Sequence, residues 1–498
     1  MSQPDILLMM SDQHAAWFMG HESGVTDTPN MDLLAAEGTR FINHYTACPL
    51  CVPARMSMLS GCFPTRIGVT GNNHTLADTA PTFLYALAAA GYETVLIGRM
   101  HFAGKDLRHG FTRRLGGDMT PTSWVPPIKE IAEERGKFMP TFSTRGCLEV
   151  IGGGESPVRY FDDDTIREAV EYLSRPHEKP QFILVGTFGP HFPYVADPEL
   201  YQKYLERGWL PSTFDSTPDF VKENHWLVSH QKKVDRETGK KAAAAYCAMI
   251  EETDRHLGEL RRAFDVYTQK YGHEAVFGYM SDHGDTVGAR NMYGKQTFFE
   301  DSVRVPFILS GKGIPKGKVI RENTSLLDIG PTICSMAGTS YEESWIDGMD
   351  LTPLISGQLS DELADRPVVS QYIESRGGAS VWEPNKPSEP EQVSYGIMIR
   401  WNKWKYFVYH GLEEQAVLLD MESDPEELRN VRKEYPAITE KLHTIAMQII
   451  SPEQAEEAHR SHNQMNKWLR KYEQITGERL DERWKNNPPT AKGKLIIQ

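Results

Sequence analysis

Side chains able to bind a cation, hold an anion or act as a nucleophile recur in this sequence in short pairs. Asp12-Gln13 and Asp282-His283 are two of them. Asp12, Gln13 and Asp282 offer the hard oxygen donors that Ca²⁺ or Mg²⁺ requires. His283 adds a nitrogen, more at home on Mn²⁺ or another transition ion, or free to hydrogen-bond a substrate. Cys51 opens the run Cys51-Val52-Pro53-Ala54-Arg55, with a helix expected over 53–59 and proline in its first turn. A nucleophile there faces backbone N–H groups and a helix dipole that stabilise anions. Arg55, one turn on, projects a fixed positive charge toward the same anion. Arg99, His101 and His191 add a guanidinium and two imidazoles. Each residue alone has an ordinary explanation. An Asp after a strand caps or turns the chain, a free cysteine packs as a small hydrophobe, and Cys48-Pro49-Leu50-Cys51 also reads as a redox CxxC.

The elements that must carry these residues favour a common site. Runs rich in Ile, Val, Leu and Phe at 6–10, 94–97, 182–187, 275–280 and 306–309 predict strands buried on both faces. Helical patterns over 30–36, 81–90, 162–174 and 240–271 alternate with them. Asp162, Asp163 and Asp164 then stand at a helix start, where the dipole favours carboxylates. The class is α/β, with a large mixed, mostly parallel sheet sandwiched by helices. Asp12, Arg99, His191 and Asp282 each follow such a strand, and ligand sites of open α/β sheets gather beyond the carboxyl ends of the strands. Composition shifts after Gly357, and 377–390 reads as a loop rich in Gly, Pro, Ser and Glu. Strands are expected at 395–401 and 405–409, joined by a turn at Asn402-Lys403, and at 417–421. The expected division is 1–362 for the catalytic part and 363–498 for a smaller α+β part. Its helical tail from Pro452 reads as a packing or oligomer arm.

Bulk properties bound the function. The chain has 498 residues, 40% hydrophobic and 24% charged, as in a folded protein with room for several domains. A net charge of -14 argues against a nucleic-acid surface and against adsorption to anionic membranes. An anionic substrate must therefore be drawn by a local basic pocket or a metal. No apolar run nears the ~20 residues of a membrane span, and Met1-Ser2-Gln3-Pro4-Asp5 has no basic leader. Six cysteines make no disulfide framework, and a cytoplasmic protein is expected.

The motifs resemble the type I sulfatases of the alkaline phosphatase superfamily, from residue 5 to about residue 430. Cys51-Val52-Pro53-Ala54-Arg55 is similar to the C-x-P-S/A-R signature, followed by Ser60-Gly61 and Pro64-Thr65-Arg66. Gly98-Arg99-Met100-His101 is similar to G-K-x-H, with Arg99 where lysine is usual, which puts a proton-transfer role there in question. Pro190-His191-Phe192-Pro193 matches the P-H-x-P loop, and Lys295 with Glu300 and Arg304 matches K-x4-E-x3-R-x-P. Met100-His101-Phe102-Ala103-Gly104 and His109-Gly110-Phe111 look most like the choline-sulfatase branch.

The resemblance implies an alkaline-phosphatase-like fold and hydrolysis of a small sulfate monoester. It implies conversion of Cys51 to formylglycine by a formylglycine-generating enzyme, and one divalent metal, Ca²⁺ ahead of Mn²⁺ or Mg²⁺. The metal would be held by Asp12, Gln13, Asp282, His283 and residue 51. Arg55, Arg99, His101, His191 and Lys295 would be catalytic, with His101 a base and His191 or Lys295 serving the leaving oxygen. A homo-oligomer is also implied. Phosphonate monoester or phosphodiester hydrolysis is the alternative within the superfamily. For the leaving alcohol, Trp17, Trp124, Trp226 and Trp345 could form an aromatic cage, and Asn72, Asn73 and His74 could reach a polar substrate.

Overall fold

The computed structural model describes residues 3–118, 138, 147–341, 343–358, 360–376, 391–476 and 493–498. Its centre is an eight-stranded sheet in the order Lys318–Ile320, Thr39–Phe41, Phe307–Gly311, Ala275–Ser281, Asp5–Asp12, Gln181–Pro190, Glu93–Gly98, Arg113–Leu115. Only Phe307–Gly311 runs against its neighbours, so the sheet is mixed and mostly parallel. Residues Ile6 to Met10 are fully buried because helices cover both faces. Ile6, Leu8 and Met10 pack with Val52, Met56 and Leu59 of the helix Cys51–Ser60. Leu7 and Met9 pack with Leu257, Leu260 and Phe264 of the 36-residue helix Arg236–Tyr271. This is the two-residue period of a strand, and each such burial contributes about 1.5–3 kcal/mol.

One expected helix boundary shifts. The helix predicted from 162 is Pro157–Leu173, capped by the Ser156 side chain, which accepts from the Arg159 N–H. A serine cap followed by proline in the first turn outweighs the acidic run as a start signal. Asp162 is therefore inside the helix, and its carboxylate accepts from Phe188 N at 2.6 Å and Gly189 N at 2.7 Å. It anchors the loop that carries His191.

The C-terminal part is a four-stranded antiparallel sheet, Val368–Arg376, Gln392–Trp401, Trp404–Tyr409 and Val417–Asp420. The first of these was not expected from the sequence. Asn402, at φ 50°, makes the tight turn that pairs Trp401 with Trp404. One face packs Ile397, Ile399, Tyr406 and Leu418 against Leu442 and Ala446 of the helix Pro436–Ile449. The other packs Met398, Phe407 and Val417 against Tyr45, Cys48, Leu50 and Phe298 of the N-terminal part. The helix Pro452–Thr476 follows, and the chain ends in a strand, Lys494–Ile497, paired with Ile151–Glu155. Among the described residues no helix is long and apolar enough to cross a membrane. The expected loop at 377–390 lies outside the described residues.

Candidate active site

Register brings the strand ends together. Ser11 lies opposite Ser281 and Asp12 opposite Pro190, so Asp12, Asp282 and His191 leave the sheet at one edge. Gly98 lies opposite Gly186, and the Arg99 N–H donates to Gly186 O at 2.8 Å. A Cβ on Gly186 would meet Arg99 O at 1.8 Å, so only glycine permits this approach. Gln13 and His101 adopt left-handed backbone, at φ 72° and 58°, a strained conformation that clusters at functional sites.

The two acids are held by two arginines. Asp12 Oδ2 accepts from Arg55 Nη2 at 3.2 Å and from Arg99 Nε at 2.8 Å. Asp282 Oδ2 accepts from Arg55 Nε at 2.7 Å, while its Oδ1 accepts from the backbone N–H of Gln13 and His283. All four side chains are fully buried. Burial pushes the Asp12 carboxyl up, but Arg99, His191, Lys295 and Arg55 outweigh it and hold Asp12 well below the usual carboxylate range. Burial and the charge of Asp12 push Asp282 up to about 6 against Arg55.

Cys51 stands at the meeting point as the first residue of its helix. Its Sγ lies 3.1 Å from His283 Nε2, 3.1 Å from Lys295 Nζ and 3.7 Å from Asp12 Oδ1. Burial and Asp12 push the thiol up to about 11. Cys48 is pushed well up by burial and by Cys51, and all six cysteines are free and buried. A reactive dithiol requires a depressed thiol, so the redox reading of the CxxC loses its support.

Histidine tautomers follow from their partners. His283 Nδ1 donates to Gly284 O at 3.2 Å, which leaves Nε2 with a lone pair facing Asp12 Oδ1 at 3.5 Å and Asp282 Oδ1 at 3.7 Å. Burial and Lys295 keep this imidazole neutral. Three lone-pair atoms facing one another in a buried pocket call for a cation between them. One ligand atom each from Asp12, Cys51, Asp282 and His283 lies within 4.8 Å of the others. Gln13 fits the same set. Its Nε2 donates to Asp285 Oδ2 at 2.5 Å, fixing the amide, while Oε1 accepts from Lys295 at 2.7 Å. Two carboxylates, an amide oxygen and an imidazole suit a hard or borderline divalent ion.

A family model described as Sulfatase matches residues 4–339, and one described as N-sulphoglucosamine sulphohydrolase, C-terminal, matches 288–451. This chain belongs to the sulfatase family. It is a hydrolase of sulfate esters. A choline-sulfatase of Rhizobium meliloti is 32% identical, with 86% of this chain and 82% of that protein covered. Human arylsulfatase K is 26% identical, with 89% and 82% covered. Among solved structures, one in complex with its substrate D-glucosamine-2-N,6-O-disulfate superposes with TM-score 0.71 at 20% identity, covering 92% of this chain and 99% of that one. The phosphonate monoester hydrolase of Agrobacterium radiobacter reaches 0.67 at 20%, covering 90% and 96%. These two share the fold.

The sulfatase pocket also uses residues that sequence reasoning missed. Asp118 accepts from Arg99 Nη1 at 3.1 Å and from His101 N at 2.8 Å, fixing both. Asp285 accepts from Gln13, from Tyr194 OH at 2.7 Å and from the N–H groups of Val287 and Gly294. An Asp three residues beyond Asp282 was the available signal. Arg99 Nη2 donates to His101 Nδ1 at 2.8 Å, so the neutral ring carries its hydrogen on Nε2. His191 Nδ1 donates to Phe192 O at 2.7 Å, and burial followed by Lys295 holds the ring neutral. Trp17 stacks on Trp209, Trp226 is buried under Arg376, Trp345 is exposed, and Trp124 lies outside the described residues.

Proposed function

We propose that residue 51 acts as formylglycine, with one divalent cation, Ca²⁺ first, in the cleavage of a small sulfate monoester to an alcohol and sulfate. The observation that carries this reading is the surroundings of Cys51. Lys295, His283 and Asp12 converge on the side chain of residue 51 at the first turn of its helix. As a hydrated aldehyde, residue 51 offers one hydroxyl to attack sulfur and a second whose deprotonation releases sulfate. A cation held by Asp12, Gln13, Asp282 and His283 would acidify the attacking hydroxyl and neutralise charge on the sulfuryl oxygens. Arg55 and Arg99 keep both carboxylates in place and add fixed positive charge. Asp282, with a carboxylate oxygen within 4.8 Å of the Sγ of residue 51, would take the nucleophile's proton, since the one lone pair of His283 faces the cation. Lys295 is the cation nearest residue 51 and faces the developing charge on the leaving oxygen, with His191 beside it. His101, fixed by Arg99 and Asp118, is a further polar group of the pocket.

Maturation then requires a formylglycine-generating enzyme. Six free, unpaired cysteines support a cytoplasmic setting. The reading keeps a catalytic part at 1–362 and a smaller part at 363–498, supported by the antiparallel sheet that begins at Val368. A homo-oligomer is supported by exposed Met465, Trp468, Tyr472 and Ile475, which recur at helical spacing on one face of Pro452–Thr476.

The test is mass spectrometry of the peptide containing residue 51, from protein co-expressed with the maturation enzyme, together with rates on choline sulfate, aryl sulfate and aryl phosphonate esters. Formylglycine at 51 and faster sulfate cleavage are expected. Unmodified cysteine in active protein, or a large phosphonate preference, would overturn the reading.

A further inference from the structure

The nucleophile helix begins without a cap of its own. Leu50, extended at φ -153° and ψ 135°, has no side-chain oxygen to take the orphan N–H groups of the first turn. Pro53 has no N–H, and the Ala54 N–H is taken by Leu50 O at 3.0 Å. The Val52 N–H, next to the nucleophile, is instead taken by Asn72 Oδ1 at 3.0 Å, from a loop 20 residues on.

That loop is in turn held by the C-terminal helix Pro452–Thr476. Asn466 Nδ2 donates to Asn73 O at 2.6 Å. Asn463 Oδ1 accepts from Asn73 Nδ2 and from His74 Nε2, both at 3.2 Å. Thr70 Oγ1 bonds His459 Nδ1 at 2.8 Å, and the His74 ring stacks on His462 at 4.1 Å and 3°. His459, Asn463 and Asn466 recur every three or four residues, so one polar face of this helix reads the whole loop. One turn before His459, the helix is fastened to the C-terminal sheet through Glu456, which accepts from Tyr395 N at 3.0 Å and pairs with His410. A hydrogen-bonded path therefore runs from the C-terminal sheet to the residue after the nucleophile.

We infer that the C-terminal helix is a positioning element for the reaction, with Asn72 as the positioning residue that sets the first turn of the nucleophile helix. The inference rests on residue 51 being the nucleophile. Loss of the Asn72 bond leaves the Val52 N–H unpaired and lets the first turn fray. The formyl hydrate then points less accurately at sulfur, which slows the chemical step more than it weakens binding.

The experiment compares Asn72→Ala, Asn466→Ala and the double variant as full-length, matured protein, with formylglycine content at residue 51 and melting temperature measured for each. Each single variant is expected to lower kcat by about tenfold with KM changed less than about threefold. The double variant should be no worse than Asn72→Ala, because both act on one path. Multiplying effects, an effect on KM alone, or full activity in the single variants would overturn the proposal. If Asn72→Ala does not fold, Asn463→Ala and Asn466→Ala still test the path from the helix side, and full kcat in both would reject it. Wild-type protein in the same assay separates the two readings. Unmodified cysteine at residue 51 in active wild type refutes the nucleophile assignment, whereas matured, active wild type with unaffected variants refutes only the positioning path.

Discussion

Arg99 illustrates how a residue's type is decided by its partners. A lysine at this position could supply one point charge to one acid. The guanidinium instead reaches Asp12, Asp118 and His101 at once and lies 3.9 Å over the Phe188 ring. That geometry needs a planar fork of donors, and a single ammonium cannot span it. Arg99→Lys is expected to lower kcat/KM by about tenfold to a hundredfold, although charge is conserved. Steady-state rates with metal content measured in parallel check this, and wild-type rates in the lysine variant would show that charge alone suffices. Sequence placed Arg99 in the site but read it only as a variant of lysine. Asp118, which gives the arginine its purpose, precedes a stretch with no motif and carries no local signature.

The tail helix shows the same division for an element. Its inward face clasps the loop after the nucleophile, as argued above. Its outward face leaves Met465 57%, Trp468 61%, Tyr472 52% and Ile475 75% exposed, a spacing of three and four residues that suits a second helix. If a second copy covers this stripe, Trp468→Glu should lower the mass measured by light scattering while leaving the melting temperature within a few degrees. An unchanged mass, or a monomeric wild type, would refute the homo-oligomer. From sequence the tail reads as an amphipathic arm, because helical periodicity is local. Its docking on residues 70–74 pairs side chains almost 400 positions apart, and the sequence carries no signal for such a pairing.

For the whole molecule, the catalytic pocket is an electrostatic compromise that a cation completes. Two buried carboxylates each lie less than 4 Å from one neutral imidazole, inside a protein of net charge -14. A divalent ion bound only in the folded state stabilises it by RT ln(1 + [L]/Kd), about 2.7 kcal/mol at a hundredfold excess over Kd. Chelation should therefore lower the melting temperature by several degrees, and Ca²⁺ should restore it at lower concentration than Mg²⁺. Asp12→Asn should abolish that response. A melting temperature indifferent to chelator and cation would remove the metal from the site.

Much of the fold was legible because buried parallel strands write themselves as short apolar runs, and the strands at 6–10, 94–97, 182–187 and 275–280 each correspond to an observed strand. The short strands Thr39–Phe41, Arg113–Leu115 and Lys318–Ile320 were not legible, since three residues carry no period. The strand Val368–Arg376 was missed as well. Sequence by itself determined which residues can do chemistry here and that strands deliver them to one sheet edge, because both follow from residue type and local periodicity. Tertiary structure alone decided their working state. Which oxygen of Asp12 faces the cation, which nitrogen of His101 and His283 carries the hydrogen, and what caps the helix of Cys51 all depend on partners far away in the chain. Burial and hydrogen bonding then fix a charge or a tautomer that residue type leaves open.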